Sequence, residues 1–373
     1  MRSKLSQLTA WMLAAGLIGL TARCEAPALA CAAVAWKGAR VSVVDESALI
    51  VWNATAHQMH FIRRATFHAS ADEFGFLVPT PSRPTLSAVD DNLFVGIEDA
   101  IKPKVIEQRL TGFGLGLGIG KIFAASKEAA PQATKSASVQ VLETQHVAGY
   151  DAAVIAASDA AALLHWLKKH GYESRPELQS WLEPYIKLHW IITAFKVSKD
   201  HDKSTTAASY AVRMSFNADR PYFPYREPED ARSISSDDSP RSLRVFLVSS
   251  GRMQGSLGDP KNRSPWVGSL KYAKSLTDAD CSTLQHRSKL TANQFPAGAW
   301  LNAFEDRSKP RLGTDDVFFS TSNSQSFVEP APIIHTIDER VIVPLEGVAA
   351  AAIGAIWLIS FVMSVRKKAK GSL

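Results

Sequence analysis

Cysteine is almost missing from this chain. There are 3 among 373 residues, at Cys24, Cys31 and Cys281. No CxxC and no Cys/His ligand spacing occurs, which excludes zinc-ribbon and thioredoxin-like readings. A Gly-x-Ser-x-Gly nucleophile elbow is also missing. The glycine-rich stretch Gly112 to Lys121 is not a phosphate loop. Leu115 stands where the first loop glycine belongs, and Ile122 where Ser or Thr must follow the lysine. No period of 20 to 50 residues recurs, so a solenoid or propeller is excluded.

The most informative absence is of charge. Gly347 to Val365 contains no ionisable residue, and Arg366, Lys367, Lys368 and Lys370 follow at once. About 20 apolar residues suffice for a helix to cross a bilayer, because a helix satisfies its backbone groups internally. The basic flank places the C-terminus on the cytoplasmic side. At the other end, Arg2 and Lys4 precede an apolar run from Leu8 to Leu20, and Ala28-Leu29-Ala30 has the small residues of a signal-peptidase site. Residues 1–30 therefore read as a signal peptide, 31–340 as an extracytoplasmic domain, 341–365 as stalk end and transmembrane helix, and 366–373 as a cytoplasmic tail. The net charge of +6 agrees with this layout. The first 30 residues carry +2 and the tail +4, which leaves the exported part neutral. A neutral domain lacks the basic face that nucleic-acid binding needs.

Once Cys24 leaves with the signal, Cys31 and Cys281 remain in a compartment where disulfides persist. They are the candidate disulfide, which would tie the mature N-terminus to the last third of the domain. Two free thiols, or a lipidated Cys31, are the competing assignments.

Between the two ends the chain reads as strands interrupted by helices. Arg40 to Val44 and Ser47 to Trp52 are β-branched runs between turn-like residues. His57 to His68 alternates, with Met59, Phe61, Arg63, Ala65 and Phe67 on one face. Phe74 to Val78 is a further strand. Leu93, Phe94, Ile97 and Ile101 follow at helical spacing up to Pro103. Residues 111–137 are a candidate insertion. Strands are predicted at Val139–Thr144 and Ala153–Ile155. A helix begins at Ser158 or Asp159, and a second begins at a capping box, Ser174 to Glu177. Trp190–Val197 and Tyr210–Phe216 read as one hairpin. Leu243–Val248, Ala299–Phe304 and Val317–Ser322 are later strands, with a short helix at Thr277–Arg287 between them. The predicted fold is α+β, a β-rich mixed or antiparallel domain with a helix pair, plus one C-terminal transmembrane helix.

Phe74-Gly75-Phe76-Leu77-Val78-Pro79-Thr80-Pro81-Ser82-Arg83-Pro84, then Asn92-Leu93-Phe94 and a closing Pro103, resembles the signature of a bacterial envelope family, domain of unknown function 2330. The second half of the pattern is Val147 to Ala152, Leu163-Leu164-His165-Trp166-Leu167 and Gly171-Tyr172. The resemblance covers roughly residues 31–227. It implies a signal peptide, a cysteine at the mature start and often a C-terminal anchor, and it brings no catalytic residues. Cys31-Ala32-Ala33 departs from the glycine-rich segment expected after that cysteine.

The remaining chemistry-bearing residues are scattered. His57 and His60 form an HxxH, but on a strand of period two they face opposite ways, and His60 and His68 are too far apart for one metal. His165, His170, His189 and His201 read as ordinary histidines. Asp237-Asp238 and Asp315-Asp316 read as loop carboxylates, and Asp278 with Asp280 as helix-start residues. No metal and no cofactor is predicted. The expected partners are the lipid bilayer, through the C-terminal helix, and an unidentified envelope protein or ligand. The expected location is the bacterial inner membrane, single-pass, with the bulk extracytoplasmic. The expected function is a binding or scaffolding module. The alternative is an envelope hydrolase or metal-dependent enzyme whose site is assembled from distant residues.

Overall fold

The computed structural model describes residues 33–34, 41–69, 73–110, 113–114, 140–172, 174–198, 206–208, 210–232, 242–308, 311–338, 341–342 and 345–370. The chain divides into two units: one drawn from residues up to Ala100 and from Lys127 to Glu329, the other from Ile101 to Ser126 and from Pro330 onward.

The larger unit opens with β1 (Ala33–Val34), β2 (Val41–Asn53), β3 (Gln58–Ala69), β4 (Glu73–Thr80), β5 (Thr85–Ala88) and α1 (Leu93–Ala100). β6 (Val105–Leu110) and β7 (Phe113–Gly114) belong to the smaller unit. The larger unit continues with β8 (Gln140–Val147), β9 (Tyr150–Ala156), α2 (Ala160–Lys169), α3 (Pro176–Lys187), β10 (Ile191–Ser198), β11 (Thr206–Ala208), β12 (Val212–Asn217), β13 (Tyr222–Phe223) and α4 (Glu229–Arg232). It closes with β14 (Ser242–Ser249), β15 (Met253–Leu257), β16 (Ser264–Pro265), β17 (Ser269–Ser275), α5 (Asp278–Ser288), β18 (Trp300–Asp306) and β19 (Val317–Thr321).

These strands form three sheets. One has the order β1-β4-β10-β9-β8 and is antiparallel throughout. The largest runs β17-β18-β14-β2-β3-β12-β5, with β11 also on β3; β14 and β2 run parallel and its other pairs antiparallel. The third is β13-β19-β15-β16. The architecture is thus β-rich and mixed with a helix pair, as the alternation and the two helical segments predict.

One core cluster takes residues from all three sheets, among them Ile50, Phe61, Phe67, Phe76, Phe195, Leu247 and Phe319. The alternation of β3 decides which residues enter it: Met59, Phe61, Ala65 and Phe67 all do. A second cluster joins Leu77, Ile155, Ile192 and Ala194, on the opposite face of the five-stranded sheet, to Leu163, Leu167, Trp181, Leu182 and Tyr185 of α2 and α3. Each such fully buried side chain contributes about 1.5–3 kcal/mol. α1 and α5 are tied to each other, because Arg287 donates to the carbonyl of Asn92 and accepts from the amide of Asp90. Phe94 of α1 meets Phe246 of β14.

Three local expectations are corrected. The first two runs are one strand, β2, with an irregularity between Val43 and Asp45. Asp45 and Glu46 do not turn the chain, because Glu46 is buried against Arg63. Residues 190–197 and 210–216 are not a hairpin: β10 pairs with β4 and β9, and β12 with β3 and β5. The first turn of α3 has no capping box. Arg175 takes the cap position without a side-chain capping bond, its guanidinium pairing with Asp230 instead, and Pro176 fixes the first helical residue.

The smaller unit is a two-stranded parallel ribbon leading to a helix. β6 pairs with β20 (Ile333–Asp338), and β7 with β21 (Val341–Ile342). Of the candidate insertion 111–137, only Phe113 and Gly114 are described. The last helix, α6, covers Leu345–Lys370. Its described side chains from Ala352 to Ser364 are all exposed. Among the described residues no helix is long and apolar enough to cross a membrane.

Candidate functional site

The helical layer over the five-stranded sheet is shorter than the sheet. On β9, Ile155 lies under the helices, while Ala153 and Asp151 continue the same face; on β10, Ile192 and Ala194 lead likewise to Lys196. The uncovered end of this face is a cleft of about 460 Å³. Its floor carries a row across three strands, His146 on β8, Asp151 on β9 and Lys196 on β10, which are direct register partners. Its wall is Trp166 and His170 at the end of α2, with Tyr172 just after it.

Each member is placed by local rules. β8 and β9 meet in a two-residue turn in which Ala148 (φ 50°) and Gly149 (φ 72°) both have positive φ, the geometry that matches strand twist. The turn sets His146 opposite Asp151, with Nδ1 2.9 Å from Oδ1. Both side chains are exposed, so the pair is screened and weak. His170 ends α2, stacks on Trp166 with ring centroids 3.8 Å apart, and places Nδ1 2.9 Å from the Trp166 carbonyl. Tyr172 lies flat on the strand because Gly75 has no side chain. A Cβ there would stand 2.4 Å from Tyr172 Cε1 and 2.6 Å from the Phe195 carbonyl oxygen. The two halves of the sequence signature, Phe74–Pro84 and Gly171-Tyr172, therefore meet at this wall. The cleft offers aromatic rings beside a row of three ionisable side chains, which suits a polar ligand.

A second polar group lies inside the larger unit. Arg63 Nε donates to Glu46 Oε1 at 2.7 Å, and its guanidinium sits 4.5 Å from the Phe76 ring centre. Arg311 lies 3.5 Å from Glu227, 3.8 Å from Asp306 and 3.9 Å from Glu46. All five ionised side chains are buried. Tyr225 donates to Asp306 Oδ2 at 2.7 Å; burial and that carboxylate push its hydroxyl well above the usual tyrosine range. Burial pushes Asp306 upward, but bonds from Ser308 and Tyr225, with Arg311 nearby, hold it below the ordinary carboxylate value.

Next in sequence, Asp316 accepts from Tyr185 Oη at 2.9 Å and from the Arg226 amide at 3.0 Å. Arg226 also pairs with Asp315 at 2.6 Å. Burial pushes the Asp316 carboxyl up to about 6, against the opposing pull of Arg226 and Tyr185. Arg226 moves up instead, because its carboxylate and phenol neighbours outweigh its own partial burial. The asymmetry has a geometric cause: the Arg226 side chain is 25% exposed, while Asp316 is 3% exposed. These bonds fasten the irregular segments around Arg226 and Asp316 to α3. Burying ion pairs is a poor source of net stability, so the arrangement fixes one geometry rather than adding strength.

The residues singled out from sequence are dispersed. Cys31 lies outside the described residues. Cys281, on α5, is half-buried and free, and burial together with Asp278 and Asp280 raises its thiol. His57 sits in a turn at φ 49°, whereas His60 is buried, facing Ser215 Oγ at 2.8 Å and lowered to about 4 by burial and by Arg213. The side chain of His68, together with His201, Asp237 and Asp238, lies outside the described residues. Among the described residues no cluster of three metal-ligating side chains occurs. Asp280 closes a capping box with Thr277. Asp315 and Asp316 lie in a loop just before β19, as read from the sequence, and Asp316 is in addition buried and bonded to Tyr185 of α3. His146 was not among the candidates, because the turn that brings it to Asp151 gives no signal beyond Ala148-Gly149.

A family model described as "Uncharacterized protein conserved in bacteria (DUF2330)" matches residues 25–328. No curated protein matches the sequence. Among solved structures, the crystal structure of baculovirus P35 is similar at 8% identity, covering 78% of this chain and 97% of that one, with a TM-score of 0.30. At that score the likeness carries no argument.

Proposed function

The chain belongs to this family of uncharacterized bacterial proteins, and within it we propose that it is a binding or scaffolding module of the cell envelope, anchored in the inner membrane by α6. The observation that carries the binding role is the cleft where the helices stop. It is open, lined by both aromatic and ionisable side chains, and built on strands rather than on a loop. Pre-organised side chains on strands bind without a large ordering cost. Anchoring is supported by the uncharged stretch Gly347 to Val365 and by the exposure of Ile353, Ile356, Trp357, Leu358, Ile359 and Phe361. An all-apolar helix face in water needs a cover, and lipid supplies one.

Two measurements test this reading. Reporter fusions after residue 340 and after residue 373 are expected on opposite sides of the membrane; the same side at both sites removes the anchor. Hydrogen exchange in intact envelopes, compared with the purified chain, is expected to show added protection along β8, β9 and Lys196. Equal exchange in the two preparations removes the binding role of the cleft.

A further inference from the structure

The cleft of about 460 Å³ on the five-stranded sheet falls within the small-ligand range of about 300–1,000 Å³. Its charges discriminate among polar ligands. Asp151 and Lys196 are register partners, so a carboxylate and an ammonium stand side by side on the floor. Helix α2 ends at the same place, with the amide of its cap, His170, on the carbonyls of Trp166 and Leu167. The C-terminal end of a helix carries partial negative charge. An anionic ligand therefore meets Asp151 and the end of α2, and a cationic ligand meets Lys196. A hydroxyl avoids both penalties, because it donates to a carboxylate and accepts from an ammonium. The carboxylate of Asp151 has acceptor capacity beyond its one contact with His146, 2.9 Å from Oδ1. Thr144 and Gln145 of β8 add a neutral hydroxyl and a neutral amide. The wall is different in kind. Trp166 is 9% exposed and Tyr172 6%, so packing holds both rings in place. His170 is exposed, and its ring lies on Trp166 at an interplanar angle of 21°. Rings already fixed in place add little ordering cost when a ligand packs on them.

We propose that this cleft binds an uncharged saccharide, with sugar hydroxyls on Asp151 and Lys196 and the C–H face of a sugar ring against His170 and its aromatic neighbours. The proposal rests on the binding role of the cleft and names its ligand class. A pyranose carries both required surfaces on one rigid frame: hydroxyls around its rim, and C–H groups on its faces that suit the electron-rich face of an aromatic ring. An extended peptide has a better place on this sheet. It would add to β8, the edge strand among the described residues, through main-chain hydrogen bonds.

The test uses the full chain in a detergent that is not a glycoside. The probes are chitotetraose, maltotetraose and, as the anionic counterpart, tetragalacturonate. Binding is read by saturation transfer from protein to sugar in NMR titrations. One or both neutral probes are expected to bind, with tetragalacturonate weaker by about tenfold or more. Preference for chitotetraose marks an amino-sugar polymer as the source, and preference for maltotetraose a glucan. Asp151→Ala and His170→Ala, both at exposed positions, are each expected to weaken the neutral probe by about tenfold, with thermal unfolding unchanged. Equal or tighter binding of tetragalacturonate overturns the proposal. So does neutral binding that survives both substitutions, and so does none by either neutral probe at about 10 mM. Hydrogen exchange in intact envelopes separates this inference from its premise. Added protection along β8, β9 and Lys196, without saccharide binding by the purified chain, refutes the saccharide and leaves the binding role. Protection confined to β8 marks strand addition by a peptide and also refutes the saccharide. Equal exchange in the two preparations removes the binding role, and the saccharide with it.

Discussion

Replacing Asp316 with asparagine separates two opposing effects on a buried carboxylate. Burial disfavours its charge, while Arg226 and the hydroxyl of Tyr185 favour it; the balance leaves the group at about 6 in the folded protein. An unfolded aspartate titrates near 3.9, so a folded value of about 6 corresponds to about 3 kcal/mol. The folded-state value is raised, so between those two values the native state holds more protons than the unfolded state. The ionised carboxylate therefore weakens the fold above pH 6, and the weakening disappears as pH falls toward 4. Asparagine keeps an acceptor for Tyr185 and for the Arg226 amide but carries no charge at any pH. Denaturant unfolding of the detergent-solubilised chain is expected to show Asp316→Asn more stable than the parent by up to about 3 kcal/mol at pH 8, with the gap closing by pH 4. Effects of other titrating groups are common to both proteins and cancel in the difference. A gap that does not change with pH, or a variant least stable at pH 8, would refute the reasoning. The attraction of Arg226 would then outweigh desolvation.

His60 acts in the opposite sense. Its lowered value means that stability is intact above pH 6.5 and is lost as pH falls toward 4, so His60→Gln is expected to flatten that acid limb in the same unfolding measurements. Glu46→Ala leaves Arg63 and Arg311 buried beside a missing charge, and a loss of about 3–5 kcal/mol in denaturant unfolding is expected; a loss below 1 kcal/mol would contradict the buried pairing. Gly75→Ala forces a methyl group against Tyr172 and the Phe195 carbonyl, with an expected loss of about 1–3 kcal/mol. In a Tyr172→Ala background the same substitution should cost less but not nothing, since the backbone clash stays; no cost in that background would show that the side chain is the only obstacle.

Patterns that depend on near neighbours were legible in the sequence. The alternation from Met59 to Phe67 placed those residues on one inward face, since side-chain direction in a strand is set by parity alone. Asp159 and Thr277 cap the helices that follow them, because a cap needs only the next three residues. The signature around Gly75 and Tyr172 pointed to the family, and the match over residues 25–328 agrees with it.

What pairs with what was decided by tertiary structure. β10 and β12 looked like a hairpin because both are apolar runs joined by a polar loop, yet each finds its partners in a different sheet. Asp45-Glu46 looked like a turn, since a carboxylate is normally solvated; Arg63, 17 residues away, holds Glu46 inside a continuous strand. β6 and β20 lie 228 residues apart, a separation that no local pattern reports. The row of His146, Asp151 and Lys196 belongs to the same class: three ordinary surface residues become one cleft floor only because β8, β9 and β10 lie side by side and the helices above them stop short. Periodicity and capping act through backbone geometry over a few residues, and the sequence determines them by itself. Strand partners and buried charges depend on the free energy of burying distant surfaces together, which exists only once the whole chain has folded.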